Sequence, residues 1–182
     1  MSESEFVMLG DAVWLDFVNT ARGRVLSPPD LLATPAALDR WARVQSLESL
    51  NGDRPSLEDV FRFRDRLSSL AEALHAGMQP PGGSIGAINE QLARTGGFHQ
   101  LIRVGGAWQV RFAPTRPLAV LEAIAQSAAA SLADPLLFVR RCAAESCSLF
   151  FSDDSPNQGR RWCNADVCGR QVKVERRRGF LR

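Results

Sequence analysis

The chain has 182 residues, 45 % apolar and 23 % charged, which suits one ordinary globular domain or one modest domain with a small appendage. No run approaches the ~20 apolar residues that a membrane span needs. The opening Met1-Ser2-Glu3-Ser4-Glu5 is acidic and no apolar stretch follows it, unlike a secretory signal, so a cytoplasmic protein is expected. The net charge of +2 divides unevenly: residues 1–139 carry 12 Lys/Arg against 15 Asp/Glu, a net −3, and residues 140–182 carry 10 against 5, a net +5, together with all 4 cysteines. A mildly acidic body with a basic, cysteine-bearing tail points to a polyanionic partner for the tail.

Residues 13–18 alternate Val13, Leu15 and Phe17 with Trp14, Asp16 and Val18, which predicts a largely buried strand ending at Asn19-Thr20. Asp16, Asn19 and Thr20 then sit at a strand end, either lining a ligand site or capping the next turn. After Pro28-Pro29, Thr34-Pro35 supplies an N-cap and an N1 proline for a helix. Leu38, Trp41 and Val44 would face the core, and Asn51-Gly52 would end it. A longer helix begins at Ser56, with Asp59 as capping-box partner. Val60, Phe63, Leu67, Leu70 and Leu74 give it one apolar stripe. His75 at its end would cap carbonyls.

Gly77 and residues 80–83 punctuate the chain, and a shorter helix starts at Ser84 with Ile85, Ile88 and Leu92. Residues 101–104 and 107–112 flank Gly105-Gly106, a hairpin signal, since two glycines tolerate the positive φ of a tight turn. Thr115 and Pro117 open an alanine-rich helix through about Leu132, Asp134-Pro135 stops it, and residues 136–139 read as a short strand. The fold class is α+β: an N-terminal mixed domain over residues 1–135, then a small module over 136–182.

In that module four residues separate Cys142 from Cys147, four separate Cys163 from Cys168, and fifteen lie between the pairs. Two close pairs suit a tetrahedral site for one Zn²⁺ ion. Two disulfides would need an oxidising compartment, and neither ferredoxin spacing is matched. Four thiolates leave no open coordination position, so the metal is structural. Arg140, Arg141, Arg160 and Arg161 flank the ligands and can offset their charge. Arg161-Trp162-Cys163 reads as a returning strand, with Trp162 as the core of the module. From about Asp166 a helix carries Arg170, Lys173 and Arg177 on one face, flanked by Arg176 and Arg178. A knuckle, a hairpin and a ligand-bearing helix make a treble-clef-like arrangement.

These residues resemble the CGNR zinc-finger family: Cys142, Cys147, Phe150 or Phe151, Asp154, Ser155, the run Arg160-Arg161-Trp162-Cys163, Cys168-Gly169, Lys173 and the arginine-rich end. Upstream, Leu15-Asp16-Phe17-Val18-Asn19-Thr20 is similar to the Asp-Phe-Val-Asn-Thr signature of the ABATE domain that precedes this finger, and Trp41 fits the helix after it. The family is described as proposed bacterial transcription regulators, some stress-related, and the resemblance implies DNA binding by the finger. One departure stands out: Cys168-Gly169-Arg170-Gln171 occupies the place of Cys-Gly-Asn-Arg.

Charge and motif together make Arg160, Arg161, Arg170, Lys173, Arg176, Arg177 and Arg178 the candidate nucleic-acid contacts, against a plain solvated basic surface. DNA is the expected partner, and a +5 segment suits RNA equally. The alternative is a zinc-stabilised protein-interaction adaptor that binds no nucleic acid. No catalysis is expected: no cysteine remains for nucleophilic work, and Gly82-Gly83 and Gly96-Gly97 lack the context of a phosphate loop. A small-molecule effector bound by residues 1–135 would suit a regulator. No dimer face is legible.

Overall fold

The structure, a computed structural model, describes residues 6–23, 29–47 and 54–179. Its elements run α1 (Val13–Asn19), α2 (Pro35–Val44), α3 (Leu57–His75), α4 (Gly82–Ala93), β1 (Gly97–Val104), β2 (Ala107–Pro114), α5 (Val120–Leu132), β3 (Val139–Arg141), β4 (Phe150–Ser152) and α6 (Arg170–Gly179), the last entered through one π-helical turn, Ala165–Gly169. The class is α+β, with helices and two small antiparallel sheets, β1-β2 and β3-β4. No helix among the described residues is long and apolar enough to cross a membrane.

Residues 13–18 form a helix, not the expected strand. Trp14, Leu15, Phe17 and Val18 are all buried, and a short segment enclosed on every side carries no periodicity that separates helix from strand. Asp16, in the first turn, reaches back to accept the Gly10 N–H at 2.7 Å, which fixes the helix entry where Ala12 offers no cap. Trp14 ties α1 to α5, its Nε1 donating to Ser131 Oγ at 3.0 Å.

Thr34 caps α2 by accepting from Ala37 N–H, and Leu38 and Trp41 are buried as expected. Val44 is exposed at the last turn, because α2 already ends there; Asn51 and Gly52 lie outside the described residues. Ser56 caps α3, and Val60, Phe63, Leu67 and Leu70 form its buried stripe. The same helix buries Arg64, whose Nη1 donates to Thr20 Oγ1 and Asp30 Oδ1, both at 2.9 Å. α4 starts two residues earlier than expected, and buried Ser84 donates to the Arg66 carbonyl at 2.7 Å, clamping α4 to α3.

α5 starts at Val120 rather than Thr115, since the Glu122 carboxylate caps Ala119 N–H at 3.0 Å and grips Arg116 through both oxygens. The strand expected over 136–139 is displaced to β3. Asp134 captures the preceding turn through Leu136 N–H at 2.8 Å and Leu137 N–H at 3.1 Å.

Two buried clusters share the β3-β4 hairpin. Val139 and Phe150 belong to the helical core with Trp14, Trp41, Leu67 and Ile124. Leu149 and Phe151 belong to the cysteine cluster, against which Val7, Leu9, Trp162 and Val172 also pack. Period-2 alternation sends adjacent phenylalanines to opposite sides.

Candidate metal centre and basic face

The β3-β4 hairpin presents Cys142 and Cys147 in its connecting loop, where Cys142 N–H donates to Leu149 O and Cys147 N–H to Ala144 O, both at 2.9 Å. Cys163 precedes the π-helical turn and Cys168 lies within it. Asn164 caps that turn, accepting from Asp166 N–H at 2.9 Å and Val167 N–H at 3.0 Å.

All four cysteines are buried and free, and their sulfurs lie within 4.8 Å of one another. Cys147 and Cys163 sulfurs are 3.8 Å apart, and Cys163 and Cys168 3.6 Å. A disulfide needs ~2.05 Å. A tetrahedron of Zn–S bonds of ~2.3 Å has edges of ~3.8 Å. The donor set therefore fits one structural zinc ion. Thiol chemistry agrees. Hydrogen bonds from Cys147 and Cys163 hold Cys142 down at about 2, while hydrogen bonding to Cys142 pushes Cys147 up to about 12 and raises Cys163 too. Thiolates this close repel one another, and a bound divalent cation lets all four sulfurs ionise.

The run Arg161-Trp162-Cys163 is not a strand. Arg160 explains why: its Nε donates to Trp162 O at 3.1 Å and its Nη2 to Cys163 O at 2.6 Å, so those carbonyls have no need of a ladder. The same guanidinium pairs with Asp11 at 2.5 Å and covers the Phe151 ring at 4.4 Å. With its side chain only 27 % exposed, Arg160 is an internal brace of the module. Trp162 is half-buried against the cysteine cluster, and the space for its ring is made by Gly169, where a Cβ would lie 3.3 Å from the indole.

The sequence resemblance runs through Asp154, which is exposed; the organising carboxylate is its buried neighbour Asp153. Asp153 accepts from Arg140 Nε at 2.8 Å, Arg160 N–H at 2.9 Å and Ser155 Oγ at 2.5 Å. Burial pushes its carboxyl up, but the hydrogen bonds from Ser155, Arg140 and Arg160 outweigh that and leave it below the usual carboxylate value.

Five of the remaining basic candidates face outward. Arg161, Arg170, Lys173, Arg176 and Arg177 are exposed. Among the described residues none of them forms an ion pair, though Arg161 lies over the Trp162 ring at 5.2 Å. At 3.6 residues per turn, Arg170, Lys173 and Arg177 share one side of α6, and Val172, about 160° from Arg170, packs against the cysteine cluster. Gln171, at the position that departs from Cys-Gly-Asn-Arg, donates to Ser146 Oγ at 3.3 Å and Glu175 at 2.9 Å, tying α6 to the first knuckle. The backbone of Arg178 belongs to α6; its side chain lies outside the described residues.

Asp16, Asn19 and Thr20 are buried on α1 and its C-cap. Burial raises the Asp16 carboxyl despite hydrogen bonds from Gly10 and Gln45. Asn19 faces β4: its Nδ2 donates to Phe150 O at 2.8 Å and its Oδ1 accepts from Phe150 N–H at 2.9 Å. Thr20 donates to Phe17 O at 2.6 Å. His75 accepts Arg141 N–H at 3.3 Å, joining α3 to β3 instead of capping its own helix. Elsewhere, a groove of about 1130 Å³ runs between α3, α4 and the start of α5, lined by Arg62, Arg66, Gly86, Arg94 and Arg116 among others.

A model of the ABATE family, described as "putative stress-induced transcription regulator", matches residues 11–135, and a CGNR zinc-finger model matches residues 139–179. The chain belongs to the ABATE family. Its CGNR finger contains all four cysteines of the metal site, and the ABATE match contains Asp16, Asn19, Thr20 and the groove. No curated protein sequence matches the chain.

Proposed function

We propose that this ABATE-family chain is a transcription regulator that binds DNA through its CGNR finger. The reading is supported chiefly by one observation: among the described residues Arg161, Arg170, Lys173, Arg176 and Arg177 stand exposed without carboxylate partners, on a scaffold locked by four clustered cysteines. Cations held in a fixed array lose little freedom on meeting phosphates, and release of counterions from DNA drives the association. Zinc supplies the fold of the array and no chemistry beyond it. No catalysis is assigned to the chain. The arginine-lined groove of the ABATE part is the natural seat of an effector.

Fluorescence anisotropy of the zinc-loaded protein on random duplex DNA, measured against salt, tests this. Affinity should fall steeply with salt, and neutralising Lys173, Arg176 and Arg177 should flatten the log–log slope by about 0.9 for each phosphate that is no longer neutralised. Absence of binding at low salt would sink the reading and favour a protein-docking role. Tighter binding to single- or double-stranded RNA would redirect it to RNA.

A further inference from the structure

The β1-β2 ribbon is paired Gly97 to Pro114 through Val104 to Ala107 and closes on Gly105-Gly106, both at positive φ. Among the described residues it packs extensively on no other element. An isolated two-stranded ribbon is marginal in water at best, and both of its edges carry unpaired backbone groups. Its register places His99 with Phe112, Leu101 with Val110 and Arg103 with Trp108 on one face. On that face Leu101 is 62 % exposed, Trp108 65 % and Val110 69 %. Such a face in solution needs a cover.

We infer that this ribbon is a dimerisation arm, lying against the N-terminal domain of a second copy while the second copy's arm lies reciprocally against the first. Two observations select that occupant. Charge is one. Residues 97–114 contain two arginines, Arg103 and Arg111, and no acidic residue, whereas the rest of residues 1–139 carries 10 Lys/Arg against 15 Asp/Glu, a net −5. The arm and the body of a like copy are therefore of opposite sign. Area is the other. Leu101, Trp108 and Val110 leave on the order of 400 Å² uncovered, judged from side chains of this size. Two reciprocal contacts, counted on both surfaces, then bury roughly 1,600 Å², the standard size of a specific interface. A single ribbon-on-body contact would reach only about half of that.

Sedimentation equilibrium of the zinc-loaded full chain tests this without reference to DNA. The wild type should be a dimer at micromolar concentration. Trp108→Ser combined with Val110→Ser should weaken association at least a hundredfold with unchanged zinc content and circular dichroism. Arg103→Glu with Arg111→Glu, which keeps Leu101, Trp108 and Val110 and reverses the arm's charge, should weaken it about tenfold at low salt. A wild type that stays monomeric at 100 µM overturns the inference. So does a dimer indifferent to all four substitutions. A monomer whose DNA affinity drops on Trp108→Ser would assign the ribbon to nucleic acid instead, also against the dimer.

Discussion

The carboxamide of Asn19 pairs with both backbone groups of Phe150, as a neighbouring strand would. One side chain at the end of α1 thus completes the edge of β4 and joins the helical core to the metal-bearing hairpin. Both hydrogen bonds are buried. Asn19→Ala leaves a carbonyl and an N–H of Phe150 without partners, and should lower the unfolding free energy by about 2–4 kcal/mol. Urea denaturation of the zinc-loaded protein measures it. A loss under about 1 kcal/mol would show that water replaces the amide.

Metal removal should be more severe. Zinc binding by four cysteines contributes on the order of 10 kcal/mol to small modules. A chelator strong enough to take the ion should release one equivalent per chain and expose four titratable thiols. It should also abolish helical signal from α6, whose packing relies on Val172 against the cysteine cluster. Retention of full helicity in the metal-free protein would contradict this.

Gly169 makes room for the Trp162 ring. Gly169→Val places a branched side chain into that plane and should displace the indole, costing about 1–3 kcal/mol by overpacking. Zinc transfer to a colorimetric chelator should accelerate accordingly. Gly169→Ala, with a contact that the ring can relieve by a few tenths of an ångström, should be milder.

Glu122 carries a pH prediction. Hydrogen bonds from Arg116 hold its carboxyl below the ordinary 4.5, against a smaller opposing effect of burial. A carboxyl depressed in the folded state contributes stability that is complete above its unfolded value and is lost as pH falls through the lowered folded value. The stability difference between wild type and Glu122→Gln, which keeps an acceptor for Ala119 N–H, should therefore be constant near neutrality, at about 1 kcal/mol given the half-exposed arginine. It should shrink below pH 4.5. A difference unchanged down to about pH 3 would place the contribution in shape, not charge.

The metal site was legible because its chemistry is local: residue type and spacing suffice to name four sulfurs. Helices α2 and α3 were legible for a similar reason, since Thr34 and Ser56 cap them and the apolar stripe of α3 has one period. The nature of α1 was not, because complete burial erases the difference between a period of 2 and one of 3.6. Nor was the task of Arg160, whose charge looks the same in a sequence whether it meets solvent or the carbonyls of Trp162 and Cys163. Asp153 and Asp154 are indistinguishable as letters; only the folded hairpin turns one inward. Asn19 and His75 act on residues far along the chain, and spacing gives no signal for such partners.

Phe150 and Phe151 are consecutive, yet one fills the helical core and the other the cysteine cluster. The boundary between the two buried clusters therefore runs through the middle of a three-residue strand that lies inside the region matched by the finger model. Severing the chain before β3 would strip the helices of a plug and leave the finger with an oily flank. The finger is thus no detachable tag: a force applied to its helix reaches the core of Trp14 and Trp41 through the peptide unit that joins Phe150 to Phe151.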